Sequence, residues 1–283
     1  MSRLDQDTIA VERGVVYGQG ADEPLLLDVQ RPLTPGAPRP AVVLIHGGGM
    51  WTGSRTHMEP AARQLTQAGF VTFSIDYRLV DASAHSRWPA QLDDVQLAVR
   101  WVQAHAGAYG VDATRIGAFG WSAGGQLAAL LGMRETRDAT APLATHSSRV
   151  ACVVALAPDV DLMAYTQPPA LHEVVALLGG TPLEVPERYR DASPLTWIDR
   201  LTAPFLVIHG DQDNVVPLEQ SRRLVAALRA AEVDVQYLEL AGAGHDGLEW
   251  PRVGPATLAF FDRHLGRTAQ RLPEGQRRQL PEW

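Results

Sequence analysis

A strand, a sharp turn and a helix follow one another between residues 115 and 131. Apolar Ile116–Phe119 predicts a buried strand, and Gln126–Leu131 predicts a helix. Gly120-Trp121-Ser122-Ala123-Gly124 lies between them, and its two glycines remove side chains that would clash in a tight turn around the serine. The stretch therefore predicts a serine hydroxyl held above the edge of a sheet. A glycine- and serine-rich loop without chemistry is the plainer alternative.

From residue 41 onward, apolar runs of strand length alternate with helical patterns. The central runs, such as Ala41–Ile45 and Val150–Leu156, are apolar throughout and do not alternate with polar residues. That pattern predicts the α/β class, with a mostly parallel central sheet and helices on both faces. Two earlier strands, around Val15–Tyr17 and Leu25–Val29, are joined by a short turn, so we expect them to pair antiparallel.

Composition excludes several functions. The formal net charge of −7 and the lack of a basic stripe argue against a nucleic-acid partner. All 25 cationic Lys and Arg residues are Arg, which excludes a phosphate-loop lysine and a lysine Schiff base. Cys152 is the single cysteine, so neither an intrachain disulfide nor a cysteine metal cluster can form.

Hydropathy gives an expectation for location. No run approaches the 18 apolar residues that a membrane-spanning helix needs, so we expect no membrane span. The first residues, Met1–Asp7, lack the apolar core of a signal peptide. A cytoplasmic protein is the expectation, and the sequence leaves a homo-oligomer open.

Polar residues that follow the buried strands are the candidate functional residues, because ligands of an open parallel sheet bind beyond the carboxyl ends of its strands. Ser122, Asp213 and His245 each follow a predicted strand, in the chain order of a Ser-Asp-His triad. His245 would act as the base for the serine, and a carboxylate would orient the imidazole. Asp211 follows the same strand as Asp213, so the residues alone leave the choice of acid open.

Asp159 and Asp161 follow the preceding strand and are further candidates for the acid. His209 ends a strand, but we interpret it as part of a turn into the acid loop. Small residues in Gly47-Gly48-Gly49 would let backbone N–H groups approach an oxyanion closely, and the N–H of Ala123 would add a further donor.

The chain resembles a serine carboxylesterase of the α/β-hydrolase superfamily, in the bacterial esterase and feruloyl-esterase-like group related to the hormone-sensitive-lipase esterases. The resemblance covers about residues 14–265. The segments that carry it are His46-Gly47-Gly48-Gly49, Asp76-Tyr77-Arg78-Leu79, Trp88-Pro89-Ala90, Asp93-Asp94-Val95, Gly120–Gly125, Leu178–Pro182, Ser193-Pro194, His209–Asp213, Val216-Pro217 and Gly244-His245.

The resemblance implies an α/β-hydrolase fold in residues 1–266, with 267–283 as a polar C-terminal tail. It places the acid at Asp213 and the oxyanion donors at Gly48, Gly49 and Ala123. Only 45 residues precede His46, and they predict strands, so we expect no helical N-terminal cap of the kind that the hormone-sensitive-lipase esterases carry. The 162–203 insertion, irregular except for a short helix near 171–178, would be a small lid, which favours short acyl groups.

We therefore expect hydrolysis of a small-molecule ester through an acyl-serine intermediate, without metal or cofactor. Met50, Trp51 and Trp121 are the expected pocket walls, with Trp250 a weaker candidate. An aryl-formamidase or amidase would use the same triad and stays open as an alternative. A catalytically silent binding module is the alternative from another class, since the fold alone does not determine activity.

Overall fold

One sheet of eight strands organises the part of the chain that the computed structural model describes, residues 8–21, 23–81, 83–135 and 141–266. The strands are β1 Ile9–Gln19, β2 Pro24–Pro32, β3 Arg39–Ile45, β4 Val71–Ile75, β5 Val111–Trp121, β6 Cys152–Leu156, β7 Phe205–Gly210 and β8 Val235–Leu240. Their order across the sheet is β1-β2-β4-β3-β5-β6-β7-β8. Strands β3 to β8 are parallel, while β1 and β2 pair antiparallel with each other and β2 pairs antiparallel with β4. The predicted mostly parallel sheet and the antiparallel first pair are confirmed.

Helices cover both faces of the sheet, as the sequence predicted. They are α1 Glu59–Gln67, α2 Ala90–Ala104, α3 Ala106–Tyr109, α4 Ala123–Met133, α5 Ala170–Leu178, α6 Pro186–Ala192, α7 Leu218–Ala230 and α8 Trp250–Leu265. In the described ranges, no helix has both the length and the apolar character to cross a bilayer.

Strand β3 shows why its sequence is apolar throughout. Val43 and Ile45 belong to the core on the α2, α4 and α7 side, whereas Val42 and Leu44 belong to the core on the α1 and α8 side. Successive side chains of a strand point to opposite faces, so a strand covered on both faces needs an apolar residue at every position. The carboxyl ends of these parallel strands therefore meet at one edge of the sheet.

The 162–203 segment is more ordered than the sequence predicted. The helix expected near 171–178 is α5, but α6 was not predicted. Only Tyr189 and Ala192 of its seven residues are buried, so α6 carries almost no apolar periodicity. Strand β1 likewise begins earlier than expected, at Ile9. The proposed tail, 267–283, lies outside the described residues.

Asp191, in α6, fastens the 162–203 segment to the rest of the fold. Its carboxylate accepts hydrogen bonds from the indole of Trp88 at 2.7 Å and from the guanidinium of Arg134 at 2.6 Å. The side-chain amide of Gln126, in α4, donates to the carbonyl of Ala192 at 2.8 Å. The segment is thereby tied to the helix that begins directly after Ser122.

Replacing Leu44 tests the two-faced core. Leu44 is fully buried in β3, so we expect Leu44→Ala to lower the free energy of unfolding by about 2–5 kcal/mol through lost burial and a cavity. Leu183 is 95% exposed, and Leu183→Ala should change stability by less than about 0.5 kcal/mol. Urea unfolding followed by tryptophan fluorescence would measure both. Equal losses in the two variants would contradict the described burial.

Candidate active site

Ser122 occupies the turn between β5 and α4 with a strained backbone. Its φ of 56° and ψ of −124° lie in a region that residues with a side chain rarely adopt. The amide of Ser122 donates to the carbonyl of Leu156 in β6 at 2.8 Å, which holds the turn against the neighbouring strand. The predicted strand, turn and helix are present, and the serine stands at the carboxyl edge of the sheet.

Glycines on both sides of Ser122 make this turn possible. A Cβ on Gly120 would lie 2.0 Å from the carbonyl oxygen of Gly124, inside any allowed contact. A Cβ on Gly124 would lie 2.2 Å from the carbonyl oxygen of Ile45, at the end of β3. Backbone therefore packs directly on backbone here, and only glycine fits at either position.

The three residues predicted as a triad lie within hydrogen-bonding distance of one another. His245 Nε2 is 3.0 Å from Ser122 Oγ, and His245 Nδ1 is 2.7 Å from Asp213 Oδ2. Asp213 is in the loop after β7, and His245 is in the loop after β8. Nδ1 donates to the carboxylate, which leaves Nε2 to accept a proton from the serine hydroxyl.

Asp213 is the carboxylate that reaches His245, and its surroundings keep it ionised. Its side chain is fully buried, which alone would raise its pKa. Hydrogen bonds from His209, His245 and the amides of Val215 and Val216 outweigh that burial and hold the pKa of Asp213 well below its usual range. The carboxylate of Asp213 is therefore ionised when it accepts the hydrogen bond from the imidazole of His245.

The other acid candidates are engaged elsewhere. Asp211 accepts a hydrogen bond from the amide of Gly242 at 2.7 Å. Asp161 accepts a hydrogen bond from the amide of Met163 at 3.1 Å and pairs with Arg223. Asp159 accepts a hydrogen bond from the hydroxyl of Tyr165, and burial raises the pKa of this carboxyl. Of these four carboxylates, Asp213 is the one that lies within hydrogen-bonding distance of His245.

The segment after β3 forms a loop with three consecutive residues at positive φ, namely Gly48 at 114°, Gly49 at 62° and Met50 at 69°. The carbonyl of Gly48 points into the loop and accepts the amides of Trp51 at 2.9 Å and Thr52 at 3.0 Å. The amide of Ala123 lies at the first position of α4, where helical N–H groups lack an intrahelical partner. The role of the amides of Gly48, Gly49 and Ala123 as oxyanion donors stays a prediction.

Residues after β4 hold this loop in place, a role that sequence reasoning missed. The carboxylate of Asp76 accepts the backbone amide of Arg55 at 2.7 Å and its guanidinium at 2.5 Å. The hydroxyl of Tyr77 donates to the carbonyl of His46 at 3.0 Å, and the two rings stack at 4.3 Å. The available signal was Asp-Tyr-Arg directly after a buried strand. Its partners lie far away in sequence.

The residues predicted to form the pocket walls differ in their exposure and in their neighbours. Trp121 is half-buried, with its indole 5.3 Å from the imidazole of His245. Trp51 is 36% exposed beside the loop after β3. Met50 is only 1% exposed and packs in the core, so it offers almost no surface to a substrate. Trp250 packs against Phe119, at 6.3 Å between ring centroids.

The described ranges contain no group of three or more His, Cys, Asp or Glu residues that could hold a metal ion. Cys152 is fully buried in β6, and burial raises the pKa of its thiol. The thiol is therefore protonated and inert, unlike a catalytic cysteine. Independence from cofactors remains a prediction.

The BD-FAE family matches residues 27–228, most of the chain. The chain belongs to this family of α/β-hydrolase esterases. The matched region includes Ser122 and Asp213 and ends before His245. The resemblance inferred from the sequence motifs is confirmed.

Two relatives of this BD-FAE member carry the name esterase. Esterase LipC of Mycobacterium tuberculosis is 38% identical over 260 residues, which cover 88% of this chain and 63% of LipC. Esterase LipQ of the same organism is 33% identical, covering 82% of this chain and 56% of LipQ. The chain thus spans less than two thirds of the length of these relatives.

Solved structures of esterases share the fold closely. A truncated carbohydrate esterase from gut microbiota has a TM-score of 0.79 at 27% identity, covering 91% of this chain and 97% of that one. Esterase 2 of Thermogutta terrifontis has a TM-score of 0.77 at 27% identity, covering 89% and 92%. The same Thermogutta enzyme has been solved with butyrate bound, with a TM-score of 0.75.

Adding one methyl group at Gly124 tests the tight packing of the turn around Ser122. Gly124→Ala would force a Cβ against the carbonyl of Ile45, so we expect unfolding free energy to fall by about 3 kcal/mol or more. Gly107→Ala in α3 is the control, since nothing lies within 4 Å of its new Cβ. It should be neutral or stabilising by up to about 1 kcal/mol. Thermal unfolding compares them, and a stable Gly124→Ala protein would refute the close contact.

Proposed function

We propose that the chain is a serine carboxylesterase that hydrolyses aryl esters or esters of short, acetyl-like acyl groups through an acyl-serine intermediate. The observation that carries the proposal is the unbroken series of hydrogen bonds from Ser122 through His245 to Asp213. The strained turn and the donor loop beside it are what acyl transfer needs. Membership of a family of esterases supports the same reaction.

In the first half of the reaction, Ser122 Oγ attacks the ester carbonyl carbon while His245 Nε2 takes the hydroxyl proton. The negative charge of the tetrahedral intermediate is accepted by the amides of Gly48, Gly49 and Ala123. Each such donor typically contributes about 2.7–4 kcal/mol to lowering the barrier. As the carbon–oxygen bond breaks, His245 gives its proton to the departing alcohol.

In the second half, water attacks the acyl-serine carbonyl and His245 again acts as base. The proton passes back to Ser122 Oγ when the acid product leaves, so the protein returns to its starting state. Asp213 stabilises the imidazolium in both halves and stays ionised itself. The expected partners of the reaction are therefore a small-molecule ester and water. A cytoplasmic location stays a prediction that cell fractionation would check.

Short acyl groups fit this chain better than long ones. The 162–203 segment supplies the only lid predicted from the sequence, and it is short and fastened to the core at Asp191. The indole of Trp121 lies 5.3 Å from the imidazole of His245, so we expect it to limit the room for a long acyl chain. Butyrate in the related Thermogutta enzyme supports acids of this size. An acetyl to hexanoyl series of p-nitrophenyl esters, with formanilide for the amidase alternative, would rank the substrates.

Replacing the serine is the direct test of the nucleophile. Ser122→Ala should lower kcat on p-nitrophenyl acetate by roughly 10⁴- to 10⁶-fold, because the variant loses the hydroxyl that is bonded to His245 Nε2. A fluorophosphonate probe should label the wild-type chain once and the variant not at all. Residual turnover close to wild type, or labelling at another residue, would overturn the proposal.

The acid is tested by a matched pair of variants in one loop. Asp213→Asn should lower kcat by about 10⁴-fold, because an amide favours the wrong imidazole tautomer. Asp211→Asn, two residues away, should keep kcat within about 2-fold of wild type, since that carboxylate contacts Gly242 and not His245. Steady-state kinetics on p-nitrophenyl acetate at pH 8 measures both. The reverse ranking would move the acid to Asp211.

A further inference from the structure

A second histidine is buried behind the proposed triad. His209 lies in β7, and its ring is fully buried. Its Nδ1 is 2.7 Å from the hydroxyl of Ser221 in α7. Its Nε2 is 3.0 Å from the carbonyl of Val216 and 3.2 Å from Asp213 Oδ2. The ring therefore bridges helix α7 and the acid loop.

These contacts assign the tautomer of His209. The carbonyl of Val216 can only accept a hydrogen bond, so Nε2 carries the hydrogen. Nδ1 of a neutral ring is then an acceptor, and the Ser221 hydroxyl donates to it. Ser221 thus fixes the ring so that its single N–H faces both Val216 and Asp213.

The atom that His209 faces is the one that matters for the base. Asp213 Oδ2 also accepts the hydrogen bond from His245 Nδ1 at 2.7 Å. The other oxygen, Oδ1, accepts the amides of Val215 at 2.8 Å and Val216 at 2.9 Å. Four donors surround one carboxylate, which has about four lone-pair sites. Two imidazoles therefore share Oδ2, and only one of them touches the serine.

We propose that His209 is a positioning residue, which holds Asp213 Oδ2 in line with His245 and draws charge away from it. The proposal rests on the proposed triad. His209 does not replace His245 as the base, because both of its ring nitrogens are occupied. A histidine that merely filled the core would not need its N–H directed at the carboxylate.

Removing the His209 donor has a predictable sign. Asp213 would keep more negative charge on Oδ2, which stabilises protonated His245 and raises the pH at which the base becomes free. The acid limb of the kcat/KM profile would then move to higher pH. The carboxylate would also be less well oriented, which lowers kcat. Asp159 and Glu239 interact electrostatically with His209 as well, and both stay unchanged in the variants below.

Two replacements at position 209 separate donor from bulk. His209→Met keeps the volume but has no donor, and His209→Gln keeps an N–H near the position of Nε2. On p-nitrophenyl acetate, we expect His209→Met to lose 10- to 100-fold in kcat with KM within about 2-fold. Its acid limb should move up by roughly half to one pH unit. His209→Gln should recover most of both.

Ser221→Ala gives a second test that leaves the histidine in place. Without the hydroxyl donor the ring loses its fixed tautomer, so we expect a smaller loss of kcat and a shift of the acid limb in the same direction. If His209→Met does not fold, this variant carries the test. His105→Gln is the control, because His105 stacks on Trp101 at 4.1 Å, away from the triad, and should leave the pH profile unchanged.

Fluorophosphonate titration would give the concentration of competent serine in each sample, so that kcat refers to folded protein. Wild-type kcat and an unmoved acid limb in His209→Met or in Ser221→Ala would overturn the proposal. Equal losses in the Met and Gln variants with no shift of the acid limb would also overturn it, since only packing would then matter. Failure of the triad itself would show separately, as undiminished activity in Ser122→Ala or Asp213→Asn.

Discussion

The contact between the first turn of α4 and the end of β3 underlies the geometry of the whole site. Gly124 passes so close to the carbonyl of Ile45 that no side chain fits between them. This approach brings Ser122 and the loop after β3 side by side, because the loop begins at His46, the next residue after Ile45. The proposed nucleophile and the proposed oxyanion donors are thus positioned by one backbone contact and not by flexible side chains. The positive φ of Ser122 is the local strain that this arrangement requires.

Two loops at the proposed site are each held by polar side chains. Tyr77 supports the loop after β3 at His46, and Asp76 holds Arg55 just beyond that loop; both residues follow β4. The acid loop is supported by His209 from β7, with Ser221 behind it. In both cases the support comes from a strand end next to the element that it steadies. Buried polar groups of this kind must be fully bonded, so they fix one arrangement of the site.

The sequence predicts which residues meet at the proposed site where this depends only on the topology of the parallel sheet. Parallel strands bring their carboxyl ends together, so Ser122, Asp213 and His245 could be grouped without coordinates. Asp211 and Asp213 could not be separated by this rule, because both follow the same strand and only the turn geometry directs one of them inward. The support from His209 depends on a hydroxyl in α7, and no periodic pattern encodes such a contact. Helix α6 escaped prediction because its seven residues bury only two side chains.

The attachment of the 162–203 segment to α4 affects how this protein can change over evolution. Ala192 is bonded to Gln126 in α4, and Asp191 is bonded to Arg134, the residue directly after that helix. A shift of this segment would therefore also displace α4, which begins directly after the proposed nucleophile Ser122. New specificity would arise more readily by exchanging exposed side chains, such as that of Trp51 beside the loop after β3, than by remodelling the backbone of the 162–203 segment. Selection can then change which molecules the site accepts, while the hydrogen bonds around Ser122 stay intact.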